Sequence, residues 1–388
     1  MANDATSFFN DAEARAADWL AAWDGQGIHR TATAGDEAGA RWLAAEARAL
    51  GAAVTIEDVA LDRLDPVAAY LEIGGERING VPVFDAPASD AQGVVGRLGP
   101  VGGGDIVVAE LTARAVYSGK FERLRRTPGH RGFVVVCAGD NPGLGLINAE
   151  NFRRPYGAPA IHVSSEARDR VMAAMASGMP ARLVADSRRT PSTGRNVVAA
   201  FPGDTGRPPL VVITPRSSWW QSTSERGGGI VCWLESLRAL VAAPPSRPVV
   251  FTANCGHELG HLGLDDFIAR RPGWDRPLTE AGATWILYGA NIGAAGGTLA
   301  AVSPHDDLRR LAASELTRDA QPHDLAPKDF VPSGETRDIQ RSGGHCLALN
   351  GSNPLFHLPQ DRWPHSVDTA AIARIAAAGA RIVQALSR

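Results

Sequence analysis

The sequence is poor in the features that mark several classes of protein. Only four of its 388 residues are cysteine, and no two stand at the spacing of a metal-binding pair. Positive and negative side chains nearly balance, at a net charge of −3, which argues against nucleic acid or an anionic membrane as the main partner. No window of about 18 residues is apolar throughout, so no membrane-spanning helix is expected. The N-terminus lacks the basic region and apolar stretch of a secretory signal.

The cysteines all lie in apolar segments, which indicates free buried thiols and a reducing, cytoplasmic location. They are Cys137, Cys232, Cys255 and Cys346. The composition, 44% hydrophobic and 21% charged, is typical of a globular protein. At this length we expect two or three domains, or one large domain that carries an insertion.

Helix and strand patterns alternate in residues 1–59 and 193–388. The run RPVVFTAN (residues 247–254) is nearly all apolar and predicts a strand buried on both faces. The C-terminal segment 367–388 carries an apolar stripe at helical spacing. The alternation predicts an α/β domain with a mostly parallel sheet between helices.

Residues 60–192 have a different texture, because short apolar runs alternate with turns rich in glycine and proline. This pattern predicts a compact, β-rich inserted module with one helix. The polar stretch DSRRTPSTGR (residues 186–195) predicts a linker at its end.

The segment HELGH, residues 257–261, matches the zinc-binding pattern H-E-x-x-H. In the zinc proteases that carry this motif, both histidines lie one turn apart on a helix. Here a predicted strand precedes the motif, and Gly256 and Gly260 interrupt the helical pattern. A third ligand would have to be a glutamate on a second helix, and Glu280 is the only near candidate. We therefore favour a turn at the end of a strand.

Polar segments follow four predicted strands, at the position where open α/β sheets bind ligands. They read PRSSWWQSTSERGGG, CGHELG, GANIGAAGG and NGSNPLFHLPQD. In these segments the chain resembles the family of zinc aminopeptidases, glutamate carboxypeptidases and glutaminyl cyclases, from about residue 25 to the end. The resemblance implies the zinc aminopeptidase-like fold, with a protease-associated-like domain inserted at residues 60–192.

The resemblance also implies two metal positions, one of which has lost two of its ligands in this sequence. TPRSS stands at the family's H-x-D motif, so that Arg216 and Ser218 replace the histidine and the aspartate. STSERGGG places Glu225 at the aspartate that bridges two metals. GHELGHLG places His257 at the catalytic glutamate and Glu258 at the ligand glutamate.

The two remaining motifs separate the two metal positions. YGANIG carries Ala290 or Asn291 in place of a ligand aspartate, whereas FHLPQD retains the last ligand, His357. One complete set therefore remains: Glu225, Glu258 and His357. Glutaminyl cyclases in the same family also work with one metal. We expect one divalent transition metal ion, zinc or manganese, with an open position for water.

The pocket implied by these segments is rich in arginine and tryptophan. Its predicted substrate-binding residues are Arg216, Arg226, Ser217, Ser218, Trp219, Trp220 and His345. A guanidinium matches a carboxylate or nitro group, and a tryptophan can stack on a planar ring, unless it belongs to the core. Arg216 would fill the space of the lost metal and act in catalysis. His257 would be the catalytic base, with a metal ligand or a group that orients one as alternatives.

These residues favour a small, planar, anionic aromatic substrate. Within the family the chain resembles 5-nitroanthranilate aminohydrolase, which implies hydrolysis of 5-nitroanthranilate to 5-nitrosalicylate and ammonia by metal-bound hydroxide. The alternatives are an aminopeptidase, an amidase, a glutaminyl-cyclase-like enzyme, or a non-catalytic homologue. We also expect a cytoplasmic homo-oligomer that binds neither nucleic acid nor membranes.

Overall fold

The computed structural model describes residues 2–388, with side chains described from residue 11 onward. The helices are α1 (Ala2–Asp24), α2 (Ala34–Ala49), α3 (Lys120–Arg126), α4 (Arg168–Ser177), α5 (Gly228–Ala242), α6 (Leu262–Ala269), α7 (Asp306–Arg318), α8 (Glu335–Arg341) and α9 (Thr369–Leu386). The strands are β1 (Val54–Ile73), β2 (Glu76–Pro82), β3 (Val94–Gly99), β4 (Ile106–Leu111), β5 (Gly132–Cys137), β6 (Ala160–Val163), β7 (Pro180–Phe201), β8 (Leu210–Pro215), β9 (Val249–Asn254), β10 (Thr284–Tyr288), β11 (Leu299–Val302), β12 (Asp324–Leu325) and β13 (His345–Gly351).

The strands form one large mixed sheet in the order β1-β2-β6-β5-β4-β3-β7-β9-β8-β10-β13-β11-β12. In its centre β9, β8, β10 and β13 run parallel. Every residue of β8 and β10 is buried, as expected for parallel strands that helices cover on both faces. The predicted α/β fold is confirmed.

Helices cover the two faces of the central strands with separate cores. One face packs against α1, α2, α5, α7 and α9, through side chains such as Trp23, Leu43, Trp233 and Ile375. The other face packs against α6 and α8, through Phe267 and other apolar residues. Each fully buried side chain of this kind stabilises the fold by about 1.5–3 kcal/mol. The two cores hold the central strands rigidly, and with them the loops that follow those strands.

The predicted linker at residues 186–195 is wrong, because this stretch lies inside β7 and pairs continuously with β1. Much of the paired ribbon is half-exposed, so polar side chains are compatible with the strand and do not interrupt it. The two long strands join the central sheet to β2–β6, which have their own apolar core. Neighbours among β3, β4, β5 and β6 are parallel. The boundaries of an inserted domain stay a prediction.

Within the described residues, α9 alone is long and apolar enough to cross a membrane by length and composition. Asp368 caps its first turn by accepting a hydrogen bond from the amide of Ala371, at 2.9 Å. Its apolar side chains, including Ile372, Ile375 and Val383, belong to the main core, as expected for a helix packed within a globular fold.

Candidate active site

The candidate site lies at the edge of the sheet where the parallel strands β8 and β9 end. Pro215 and Asn254, the last residues of these strands, are paired in register, so the loops that follow them start side by side. The loop after β8 makes a π-helical turn at Thr223–Gly227 before α5 begins. The loop after β13 carries His357, in a left-handed conformation with φ 61°. The central sheet thus brings together segments that are distant in sequence.

Glu225 and His357 meet at this edge, and both are buried. The Nε2 atom of His357 lies 3.2 Å from Oε1 of Glu225. The Nδ1 atom of His357 lies 2.6 Å from the carbonyl oxygen of Leu146, so Nδ1 carries a proton and donates it to that oxygen. Within the described chain, neither carboxylate oxygen of Glu225 nor His357 Nε2 has a hydrogen-bond partner. Two potential ligand groups therefore face each other, and charged contacts alone hold Glu225 Oε1.

Arg226 supplies positive charge beside this pair. Its Nη2 atom lies 2.7 Å from Glu225 Oε1, and its Nε donates to the carbonyl oxygen of Ser217 at 2.7 Å. Burial raises the pKa of Glu225, but the charges of Arg226 and His357 outweigh burial and lower it. Asp361 fixes the turn by accepting the amide protons of Ser224 and Glu225, at 2.8 and 3.0 Å. Glu225 is therefore held as a carboxylate on a rigid turn.

Glu258, the third ligand predicted from the sequence, is bonded within the chain. Its Oε1 accepts hydrogen bonds from the amide and the hydroxyl of Thr31, both at 2.7 Å. Its Oε2 accepts from the hydroxyl of Ser217 at 2.6 Å. Since a carboxylate oxygen has two lone pairs, only Oε2 retains one for an ion. Glu225 and His357 are therefore left as the facing pair, and among the described residues Glu258 does not join them in a cluster of three ligand groups within 4.8 Å of one another.

The histidines of HELGH lie beside each other in a turn. His257 belongs to a short 3₁₀ segment, and α6 begins only after His261, so the expectation that the motif is not helical is confirmed. The Nδ1 atom of His257 lies 2.9 Å from both oxygens of Glu335, and that of His261 lies 2.6 Å from Asp338 Oδ2. The two imidazoles are 5.3 Å apart. His261 therefore lies on the same side of the turn as His257.

The two imidazoles differ in their electrostatic surroundings. Burial and the nearby charge of Arg226 lower the pKa of His257, against the opposing effect of Glu335. Burial also lowers the pKa of His261, but Glu335 and Asp338 outweigh it and raise the value to about 9. Sequence reasoning missed Glu335, because it is the first residue of a polar helix, α8, that lies far from HELGH in the sequence. The exposed Glu280 is not the third member of the cluster.

The structure corrects the predicted role of Arg216 in substrate binding and catalysis. Its side chain is fully buried, and its Nη1 lies 2.8 Å from Asp36 Oδ1. It also donates to the carbonyl oxygens of Asp36 and Arg195, at 2.6 and 2.5 Å. The guanidinium is thus bound inside the protein, because α2 provides a buried carboxylate for it. A substrate would have to displace this ion pair in order to reach Arg216.

Trp219 and Ser218 also hold the loop together. Trp219 is buried, donates to Asn148 Oδ1 at 2.9 Å and packs edge-on against Phe84, so the core interpretation fits it better than ring stacking. Ser218 donates to the carbonyl oxygen of Trp220 at 2.9 Å. Trp220 itself donates to the carbonyl oxygen of His357 at 2.9 Å, which fixes the loop that carries the imidazole.

The structure also corrects the assignment of His345 to the substrate pocket. It is the first residue of β13, and its strand partner Thr284 is the first residue of β10. Both therefore lie at the amino edge of the parallel strands, opposite the candidate site. The His345 imidazole is bonded to Asp307 and Thr284 there.

An apolar cavity of about 500 Å³ opens beside the loop after β8. Its lining includes Trp219, Trp220, Phe84 and Leu146. Trp220 and Leu146 are also the residues whose Nε1 and carbonyl oxygen hold His357. Two residues that fix His357 thus also line a cavity that can accept an apolar group.

No protein-family model and no curated protein sequence matches the chain. Solved structures share its fold at low sequence identity. A peptidase M28 precursor from Shewanella amazonensis SB2B gives a TM-score of 0.77 at 16% identity, covering 100% of this chain and 96% of that one. A zinc aminopeptidase from Bacillus subtilis gives 0.75 at 15%, covering 96% and 94%. An aminopeptidase from Aneurinibacillus sp. strain AM-1 gives 0.69 at 15%, covering 97% and 93%. The zinc aminopeptidase-like fold is thereby confirmed.

Proposed function

We propose that the protein is a metal-dependent hydrolase that cleaves a C–N bond at a centre built on Glu225 and His357. The observation that carries this proposal is the contact of 3.2 Å between His357 Nε2 and Glu225 Oε1. With Nδ1 donating to Leu146, a neutral His357 directs a lone pair at a carboxylate. A cation between the two groups would make this contact favourable, and a divalent ion suits both ligand types.

When bound, such an ion would polarise a carbonyl oxygen and lower the pKa of a water molecule. Arg226 keeps Glu225 ionised in the absence of water around it and can stabilise negative charge that develops on a substrate oxygen. Asp361 and Trp220 hold the two ligand loops in place. The role of these residues is to fix the positions of charge before a substrate arrives.

His257 has two possible roles in this centre. Glu335 lies at its Nδ1, so its Nε2 can accept a proton as the predicted base, or its Nδ1 can bind an ion together with Glu335. Its charge is one of those that lower the pKa of Glu225, which supports a role in the same site. The role as a base follows from the resemblance, in which His257 stands at the position of the catalytic glutamate. The role as a metal ligand is argued in the next subsection.

An aminoacyl or related amide substrate suits this site better than a nitroanthranilate. Two of the features that suggested a planar anion, Arg216 and Trp219, are engaged within the protein. The apolar cavity beside Trp220 can accept a hydrophobic side chain. One observation favours the anionic aromatic substrate: Arg226 Nη1 has no hydrogen-bond partner among the described residues and can bind a carboxylate.

The test supplies zinc- or manganese-loaded protein with aminoacyl 4-nitroanilides and, in parallel, with 5-nitroanthranilate. We expect hydrolysis of an apolar aminoacyl anilide, which disappears in the His357→Ala variant and persists in His345→Ala. Turnover of 5-nitroanthranilate alone would instead support the aminohydrolase. Metal-loaded protein that hydrolyses neither class, nor simple amides, would overturn the proposal.

A further inference from the structure

A metal centre on Glu225 and His357 does not account for the match of HELGH to the zinc-binding pattern. His257, His261 and Glu335 are buried, and each offers a ligand atom within 4.8 Å of the other two. Two ligands of a tetrahedral ion with bonds of about 2.1 Å lie about 3.4 Å apart. Side-chain adjustments of about one ångström would therefore bring the three groups to bonding distance.

The turn that presents the two imidazoles depends on unusual backbone conformations. Gly256, Gly260 and His261 all have positive φ, at 75°, 79° and 62°. For a non-glycine residue this backbone conformation costs free energy, and it persists only where the surrounding structure enforces it. The strained φ of His261 directs its imidazole beside that of His257, where a helix would have placed the two residues one turn apart.

Carboxylates orient both rings by holding Nδ1. The contacts are 2.6 Å from His261 to Asp338 and 2.9 Å from His257 to Glu335. A carboxylate on one ring nitrogen fixes the tautomer and leaves Nε2 as a metal ligand, which is the common arrangement at protein zinc sites. His261 has this arrangement, because its orienting group, Asp338, is distinct from the third ligand, Glu335. His257 would instead bind the ion through Nδ1, the atom that faces Glu335.

The charges around the cluster also favour a cation. Glu335, Asp338 and Glu150 all act on His261 in the direction that stabilises positive charge. Arg337 offsets part of this effect, since it contacts both Asp338 and Glu150. Arg226 opposes a cation nearer His257, but its own charge is neutralised by Glu225 at 2.7 Å.

We propose that His257, His261 and Glu335 form a divalent transition-metal site of their own, with Asp338 as the positioning residue for His261. Two imidazoles and one carboxylate suit zinc or ferrous iron and leave positions open for water or a substrate. The site differs from an H-E-x-x-H protease, because Glu258 is bonded to Thr31 and Ser217 and cannot serve as its base. The proposal does not depend on the proposed reaction.

Cobalt titration of the His357→Ala variant tests this site with the Glu225–His357 centre disabled. We expect one equivalent of Co²⁺, with visible absorption bands that report imidazole coordination. Adding His261→Ala should weaken binding at least about 100-fold and abolish the bands, and adding Asp338→Asn should weaken binding about 10- to 100-fold. Adding His345→Ala, which removes a carboxylate-bonded imidazole at the opposite edge, should change neither.

Circular dichroism and thermal melts check that each variant is folded. If His261→Ala fails to fold, the Asp338→Asn result decides, because this change keeps the shape of the side chain. A folded His357→Ala protein that binds no Co²⁺ would overturn the site. Unchanged affinity and spectrum on adding the His261 and Asp338 changes would also overturn it. The result decides between the two roles of His257, whereas the Glu225–His357 centre, which is disabled throughout, is tested separately by the hydrolysis assay.

Discussion

The guanidinium of Arg216 and the carboxylate of Asp36 form a fully buried ion pair, 2.8 Å apart, between the end of β8 and the first turn of α2. The resemblance of the sequence placed Arg216 at a lost metal ligand and predicted a role in substrate binding and catalysis. The pair instead joins two elements 180 residues apart in sequence. Arg216 therefore stabilises the loop that leads to Glu225.

The Arg216→Ala variant should lose about 3–5 kcal/mol of unfolding free energy, because it leaves Asp36 as an uncompensated buried charge. Urea unfolding measures this loss. Arg41→Ala is the matched control, since Arg41 forms an exposed pair with Glu37 on the same helix and should cost less than about 1 kcal/mol. A double variant with Asp36→Asn should recover part of the loss. Equal stability of the two single variants would contradict the structural role.

His29 should make the fold sensitive to acid. Burial lowers its pKa to about 3, helped by the charge of Arg216 and opposed by Asp24. The folded pKa lies below the ordinary value of 6.5, so the unfolded chain binds more protons between these values, and stability falls as pH falls through this window. At pH 5 the loss relative to pH 7 should be about 2 kcal/mol.

The measurement compares unfolding free energies of the wild type and His29→Gln between pH 7 and pH 4. The difference between the two proteins should change with pH, because the variant lacks the titrating group. Other acidic and basic groups contribute equally to both proteins and cancel. A constant difference across this range would show that His29 is not held neutral.

The sequence predicted the fold well for a physical reason. The central strands are almost entirely apolar, which only a sheet covered on both faces explains. The polar segments that follow these strands occur in the same order as the motifs of the family that the sequence resembles. Glu225 and His357 could be selected because each follows such a strand. Thr31, Asp36 and Glu335 could not, since they reach the site from segments whose local sequence carries no signal of the residues they contact.

Trp220 should position His357 for metal binding. Its indole nitrogen donates to the carbonyl oxygen of His357 at 2.9 Å, in a loop where His357 has a positive φ. Trp220→Phe removes this bond and should weaken metal binding at the Glu225–His357 centre about 10- to 100-fold. Calorimetric zinc titration in the His261→Ala background isolates that centre.

Trp219→Phe is the matched control, since it removes a similar bond, to Asn148, from the neighbouring residue. It should reduce stability by about 1 kcal/mol and leave zinc affinity unchanged. If the two variants weakened zinc binding equally, general loosening of the loop would explain both effects. Trp220 would then have no specific role in orienting His357.

Gly260 should be required for the turn that brings His257 and His261 together. Its φ is 79°, and an added Cβ would lie 2.7 Å from the carbonyl oxygen of Glu150. Gly260→Ala should therefore cost more than the roughly 1 kcal/mol of an unfavourable φ alone, since main-chain atoms must move. Gly273→Ala provides the comparison, because its φ is 87° and an added Cβ meets nothing within 4 Å. Thermal unfolding measures the stability of both variants. Equal losses of stability would show that the Glu150 main chain moves aside at no cost and does not confine the turn.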